Sequence, residues 1–255
     1  MNMSRDHWNT ELYEEKHSFV SKYGEDLVEL LAPKQGEAIL DVGCGTGDLA
    51  YKLYERGVNV TGIDQSEKMI NQAKKKYPFI TFELQNVVHL SYENAFDAIF
   101  SNAVLHWVKQ PKEALSCMYR ALKRNGRFVA EFGGKGNVQL IVDELIKQLK
   151  AFEVDNVEEK FPWYFPSIGE YATLMEEVGF RVVFAQHFDR PTPLEGERGL
   201  VNWLHMFAVS MFEGVDEKIK EEIVVNVENS LRNILFQENR WFADYKRIRV
   251  IGIKQ

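Results

Sequence analysis

The chain has 255 residues, 45% of them apolar, and a net charge of −7, which suits one large α/β domain or one domain with a cap. The acidic balance argues against a general nucleic-acid binder, which needs a basic stripe. No apolar run reaches membrane-spanning length, residues 1–6 lack the apolar core of a secretory signal, and the two cysteines, Cys44 and Cys117, form no C-x-x-C pattern, so the expectation is a reduced, cytoplasmic protein.

The first predicted element is an amphipathic helix over 7–31, with Leu12, Phe19, Leu27, Leu30 and Leu31 as its apolar contacts and Trp8 and Tyr13 near its start. Pro33 and Gly36 punctuate its end. A short apolar strand over 38–42 contains Asp41 and runs into glycines at alternate positions, Gly43, Gly45 and Gly47, followed by a helix over 47–56 that Gly57 closes. Alternate glycines let the backbone turn sharply with no Cβ between it and a ligand, and the helix start offers unpaired N–H groups beside the gap. The dinucleotide fingerprint G-x-G-x-x-G is incomplete, because its sixth position is Asp48. Asp48 and Asp41 would repel a pyrophosphate, and no Gly-Lys-Ser/Thr follows to make a phosphate loop. A cationic or zwitterionic ligand fits this turn better; a glycine turn with no ligand is the bland alternative.

The next strand, over 59–63, ends at Asp64, about twenty residues beyond the turn, where nucleotide folds use an acid to accept from both ribose hydroxyls. Gln65 follows, Ser66 is a plausible helix N-cap, and Met69 is either core or packed on an adenine face. A strand over 80–84 precedes Asn86 and Val87, and a strand over 96–101 precedes Asn102, His106 and Trp107. Ligand sites of βαβ units lie at such carboxyl ends. A helix over 111–122, a turn at 123–126 and a strand over 127–132 come next. A helix over 138–152, a charged then aromatic loop over 155–165, a helix over 168–178 and a strand over 181–188 follow. Arg190 then opens a helical insertion over 200–242, and a strand over 245–253 ends the chain. The six histidines show no metal-ligand spacing, so no metal is expected.

The run Asp41-Val42-Gly43-Cys44-Gly45-Thr46-Gly47 resembles the first motif of the class I S-adenosylmethionine-dependent methyltransferases. The string Ser101-Asn102-Ala103-Val104-Leu105-His106-Trp107-Val108 resembles their trans-aconitate, or type 11, branch. The resemblance implies an α/β fold with a seven-stranded Rossmann-like sheet, antiparallel at its last strand, in a single domain over 1–255. The core would be 32–134, 166–189 and 243–255, with a helical lid from 135–165 and 190–242. It further implies S-adenosylmethionine as cofactor, held by Asp41, Gly43, Cys44, Gly45, Asp64, Gln65, Met69, Asn86, Val87 and Asn102. Asn86 departs from the acid common at its position; its amide oxygen can still accept, without charge.

The same resemblance makes the N-terminal helix a possible cover, with Trp8, Tyr13 and Trp107 on the acceptor side. The acceptor is expected to be a small molecule, neither nucleic acid nor membrane, methylated on oxygen and best read as a small (poly)carboxylate. Arg190 either clamps that acid or forms a structural salt bridge at the lid hinge. His106 is either a general base, needed only by a hydroxyl or amine acceptor, or a buried structural histidine. An NAD-dependent dehydrogenase and a catalytically silent cofactor-binding module are the other readings.

Overall fold

The computed structural model describes residues 19–255. Helix α1 (Phe19–Leu31) precedes β1 (Ala38–Val42), α2 (Asp48–Glu55), β2 (Asn59–Asp64), α3 (Glu67–Lys76), β3 (Thr81–Leu84) and β4 (Phe96–Asn102). Then come α4 (Pro111–Ala121), β5 (Leu122–Gly133), α5 (Gln139–Ala151), α6 (Ile168–Val178) and β6 (Phe180–Leu194). The chain closes with α7 (Gly199–Phe207), α8 (Glu217–Leu235), β7 (Phe236–Gln237) and β8 (Arg240–Lys254). The strands lie in the order β3-β2-β1-β4-β5-β8-β6, with β7 paired to β8. The first five strands run parallel to one another, and β8 is antiparallel to both β5 and β6. Strand order reverses between β1 and β4, which opens a crevice at their carboxyl ends.

Alternation along the strands sorts the core into two layers. Ile39, Phe100 and Val129 face α1 and α2, against Leu27, Leu31 and Leu53. Leu40, Ile99 and Phe128 face α4 and α6, against Leu115, Met118, Tyr171 and Met175. A third apolar cluster lies outside the sheet, where α5, α7, α8 and the 157–165 segment pack around Trp163, Trp203 and Trp241.

The last two long strands differ from the sequence reading. β6 continues to Leu194 and β8 begins at Arg240, so the helical insertion is shorter than 200–242 and stands on a two-stranded ribbon. The ribbon pairs from Arg190↔Tyr245 through Leu194↔Trp241, beyond the point where β5 ends. Pro191 and Pro193 make this stretch look like a loop, but β6 is the edge strand, where a missing N–H on the outer side is tolerated. Of the helix over 7–31, only α1 falls within the described residues, and Trp8 and Tyr13 lie outside them.

Candidate active site

The carboxyl ends of β1, β2, β3 and β4 enclose a cavity of about 500 Å³, a usual size for a small-molecule site. Gly43, Gly45, Asp64, Gln65, Met69, Asn86, Val87, Asn102 and Trp107 line it. The glycine turn is built as its sequence requires. Gly43 has φ +73°, and a Cβ there would come within 2.1 Å of Val104. Gly45 has φ +54° and open space on its side-chain face, so the backbone itself forms the wall. Asp64 braces the turn: one carboxylate oxygen accepts from Gly45 N at 3.1 Å and the other from Ser66 N at 2.8 Å. Ser66 Oγ in turn accepts from Met69 N at 3.2 Å and caps α3.

Asp41 and Cys44 sit beneath this wall and do not line the cavity. Asp41 is buried with Oδ2 lacking any hydrogen-bond partner. Burial, with the Asp64 charge nearby, pushes its carboxyl up to about 7. The Cys44 thiol is buried and raised by the same burial and the two neighbouring acids, so it is not a nucleophile. Asn86 spends one lone pair of its amide oxygen on Val88 N at 3.1 Å, which leaves the amide NH₂ and the second lone pair for a ligand.

The acceptor side is organised by the turn after β4. Ala103 adopts φ +61° and hands its N–H to Glu131 O at 2.7 Å, which swings the chain out of the sheet toward His106 and Trp107. The His106 ring lies 5.9 Å from Phe165, and Trp107 lies 5.6 Å from Trp163 and 6.3 Å from Phe207. One backbone and two side-chain hydrogen bonds latch this layer: Tyr164 N donates to His106 O at 2.7 Å, and Lys109 Nζ donates to Phe161 O at 2.7 Å and Trp163 O at 3.0 Å. Trp203 Nε1 donates to Tyr245 Oη at 2.7 Å, tying α7 to the ribbon.

Two sequence expectations change here. His106 Nδ1 accepts from Gly133 N at 3.3 Å, so its ring proton is on Nε2 and no lone pair remains for proton abstraction. Burial and the Arg247 charge hold its pKa well below the ordinary histidine range, so the ring stays neutral. His106 is therefore a hydrogen-bond donor and not a general base. Arg190 does not line the cavity; both of its terminal nitrogens donate to the carboxylate of buried Glu131. The salt-bridge reading of Arg190 replaces the clamp, because a guanidinium fork spent on Glu131 cannot also grip an acceptor.

The chain matches the methyltransferase domain family model over residues 40–130. It is 32% identical over 264 residues to an uncharacterised methyltransferase of Schizosaccharomyces pombe, covering 99% of this chain and 100% of that protein. The chain belongs to the class I S-adenosylmethionine-dependent methyltransferases. This methyltransferase is also 31% identical over 164 residues to a tRNA U34 carboxymethyltransferase of Helicobacter pylori, covering 61% of this chain and 60% of that protein. The crystal structure of a candidate methyltransferase from Bacillus halodurans superposes with a TM-score of 0.64 at 16% identity, covering 90% of this chain and 97% of that one.

The donor set of this methyltransferase fits its cofactor. S-adenosylmethionine carries a sulfonium, an ammonium and a ribose diol, and the site offers a carboxylate at Asp64, a bare backbone wall at Gly45 and, beneath that wall, the buried acid Asp41, whose Oδ2 has no hydrogen-bond partner. Sequence reasoning missed Val104, Lys109 and Gln110 in the cavity wall; only their position after a strand end pointed there. No helix among the described residues is long and apolar enough to cross a membrane.

Proposed function

We propose that this methyltransferase transfers a methyl group to a carboxylate oxygen of a small acid held beneath a lid, residues 135–165 and 195–239. The observation that carries the reading is the protonation of His106. His106 directly precedes Trp107 of the cavity wall, and its bond from Gly133 N leaves it a donor only. An acceptor lacking a base must arrive as an ionised nucleophile, and a carboxylate does so at neutral pH.

When bound, S-adenosylmethionine supplies a methyl already activated by the sulfonium, so the new C–O bond forms as the S–CH₃ bond breaks, the electron pair returns to sulfur and no proton moves. The protein's part is to align and to exclude water. Asp64 would hold the ribose, Met69, Asn86 and Val87 the adenine, and Asp41 would act on the cationic end through its charge from beneath the glycine wall. His106 Nε2–H would donate to the acceptor, and Trp107 would separate the cofactor cavity from the aromatic lid. The Helicobacter pylori relative suggests tRNA as an acceptor; the charge of −7 and the latched lid favour a small molecule instead.

The test is transfer of labelled methyl from S-adenosylmethionine to a panel of carboxylic acids, hydroxy acids, amines and bulk tRNA, with products identified by mass spectrometry. The expected product is a methyl ester that mild base hydrolyses. A product methylated on nitrogen or carbon, or label on tRNA alone, would overturn the carboxylate reading.

A further inference from the structure

At the end of β3, three polar side chains close a ring of hydrogen bonds beside the cavity wall. Gln85 N donates to Asp64 O at 3.0 Å, which carries the β2–β3 pairing one residue past Leu84. Glu83 and Gln85, two residues apart on extended chain, therefore point the same way. Tyr92 meets them from the segment before β4, its ring edge-on to Phe96 at 5.0 Å. Tyr92 Oη donates to Glu83 Oε2 at 2.7 Å. Gln85 Nε2 donates to the same carboxylate oxygen and, at 3.0 Å, to Tyr92 Oη.

The protons of this ring have one arrangement. A carboxylate only accepts, so the Tyr92 proton points at Glu83 and the Tyr92 oxygen is left to accept from Gln85. Burial and the bond to Glu83 push the Tyr92 hydroxyl up, so that proton stays in place. Both hydrogens of the Gln85 amide are then spent, and turning the amide over would set its oxygen against the Glu83 carboxylate. Gln85 Oε1 takes no hydrogen bond from the described residues, and Gln85 is part of the cavity wall. Asn86, the next residue of the wall, is pinned in the opposite sense: its Oδ1 accepts from Val88 N at 3.1 Å, and its NH₂ is the open end. Two consecutive amides thus offer an acceptor and a donor that cannot exchange roles. Adenine carries the matching pair, an exocyclic amine that donates and ring nitrogens that accept. Hypoxanthine carries the inverse at the same edge, a carbonyl that accepts and an N–H that donates.

We propose that Gln85 Oε1 accepts from the exocyclic amine of the cofactor's adenine while the Asn86 amide donates to a ring nitrogen beside it, with Glu83 and Tyr92 as positioning residues that hold the Gln85 amide in its reading orientation. This gives the departure at Asn86 a physical counterpart. Residue 86 lacks the charge that would hold the amine, and the neighbouring amide takes it over. The site concerns the cofactor alone, so it stands or falls independently of the carboxylate reading of the acceptor.

The experiment is calorimetry of the full chain with S-adenosylhomocysteine and with S-inosylhomocysteine, in which a carbonyl replaces the amine; thermal melting checks that each variant folds. Wild type is expected to prefer the adenine ligand by about 10- to 100-fold, because the inverse pattern leaves both amides mispaired. Gln85→Leu should weaken S-adenosylhomocysteine and bring the preference below about 3-fold, since the inosine ligand loses nothing at that position. Tyr92→Phe, which removes one oxygen outside the cavity wall, frees the Gln85 amide to turn over and should also lower the preference. That variant keeps the test open if Gln85→Leu does not fold. A residue that only supports the wall would weaken both ligands alike and leave their ratio unchanged. No preference in wild type, an unchanged ratio in Gln85→Leu, or a ratio lost in Asn86→Ala and kept in Gln85→Leu overturns the proposal. A wild-type ratio in Tyr92→Phe overturns the positioning role.

Discussion

Asp41→Asn should make the free protein more stable at alkaline pH and a worse binder of its cofactor. Asp41 holds its proton up to about 7 when folded, against 3.8 as its ordinary value. Between those two pH values the folded chain binds a proton that the unfolded chain has released, so stability falls as pH rises through the window. At about 1.4 kcal/mol per pKa unit the full loss is on the order of 4 kcal/mol, reached above pH 7. His106 works the other way: it stays neutral when folded, so its contribution is lost as pH falls below 6.5. The difference between variant and wild type removes that common slope. Asparagine cannot ionise, but its NH₂ also lacks a partner, which costs about 1–3 kcal/mol. The stability difference should therefore shift in favour of Asp41→Asn by about 2–3 kcal/mol between about pH 5 and about pH 8. Urea unfolding of the free proteins at the two pH values measures it, and titration calorimetry with S-adenosylhomocysteine and S-adenosylmethionine measures binding. A difference that does not move with pH would refute the assignment of the proton to Asp41. Full cofactor affinity in the variant would remove Asp41 from the cationic end of the site.

Asp64→Ala should weaken S-adenosylmethionine binding by roughly 1.5–3 kcal/mol, the scale of charged hydrogen bonds, with no NAD binding in either protein; calorimetry on folded variant showing unchanged affinity counts against the ribose role. Glu131→Gln strips the acid from the converging guanidiniums of Arg190, Arg247 and Arg249 and should cost about 3–5 kcal/mol in urea unfolding, with a loss below about 1 kcal/mol showing that the arginines find other partners.

The cofactor half of the site was legible because its signals are local. An apolar run, alternate glycines and a capping serine lie within a few residues of one another, and β1 occupies the expected 38–42. Asp64, Asn86, Asn102 and Trp107 were readable from their places just past strand ends. The acceptor half depends on contacts distant in sequence. Arg190 meets Glu131 across 59 residues, and Arg247 and Arg249 meet it across 116 and 118. Which arginines meet Glu131 is set by the register of β5, β8 and β6, and the two prolines of β6 hide part of that register. The tautomer of His106 follows from a backbone N–H 27 residues away. Residue type and local spacing carry no trace of either.

One face of the sheet therefore holds two opposed buried charges. Asp41 alternates with Ile39 and Glu131 with Val129, so both side chains stand on the α1 face. At the ends of β1 and β2 the excess is acidic, and burial together with the Asp64 charge raises the cost of ionising Asp41. At the ends of β5, β8 and β6 the excess is basic, against an overall charge of −7. The acidic end suits the cationic sulfonium of the cofactor. Asn102 lies on β4, between the two, with His106 and Trp107 just beyond it. On the proposed reading of the acceptor as a small acid, this separation of charge would order cofactor and acceptor by polarity before any shape is recognised, and it would set a carboxylate and a sulfonium toward one another without a base having to hold either.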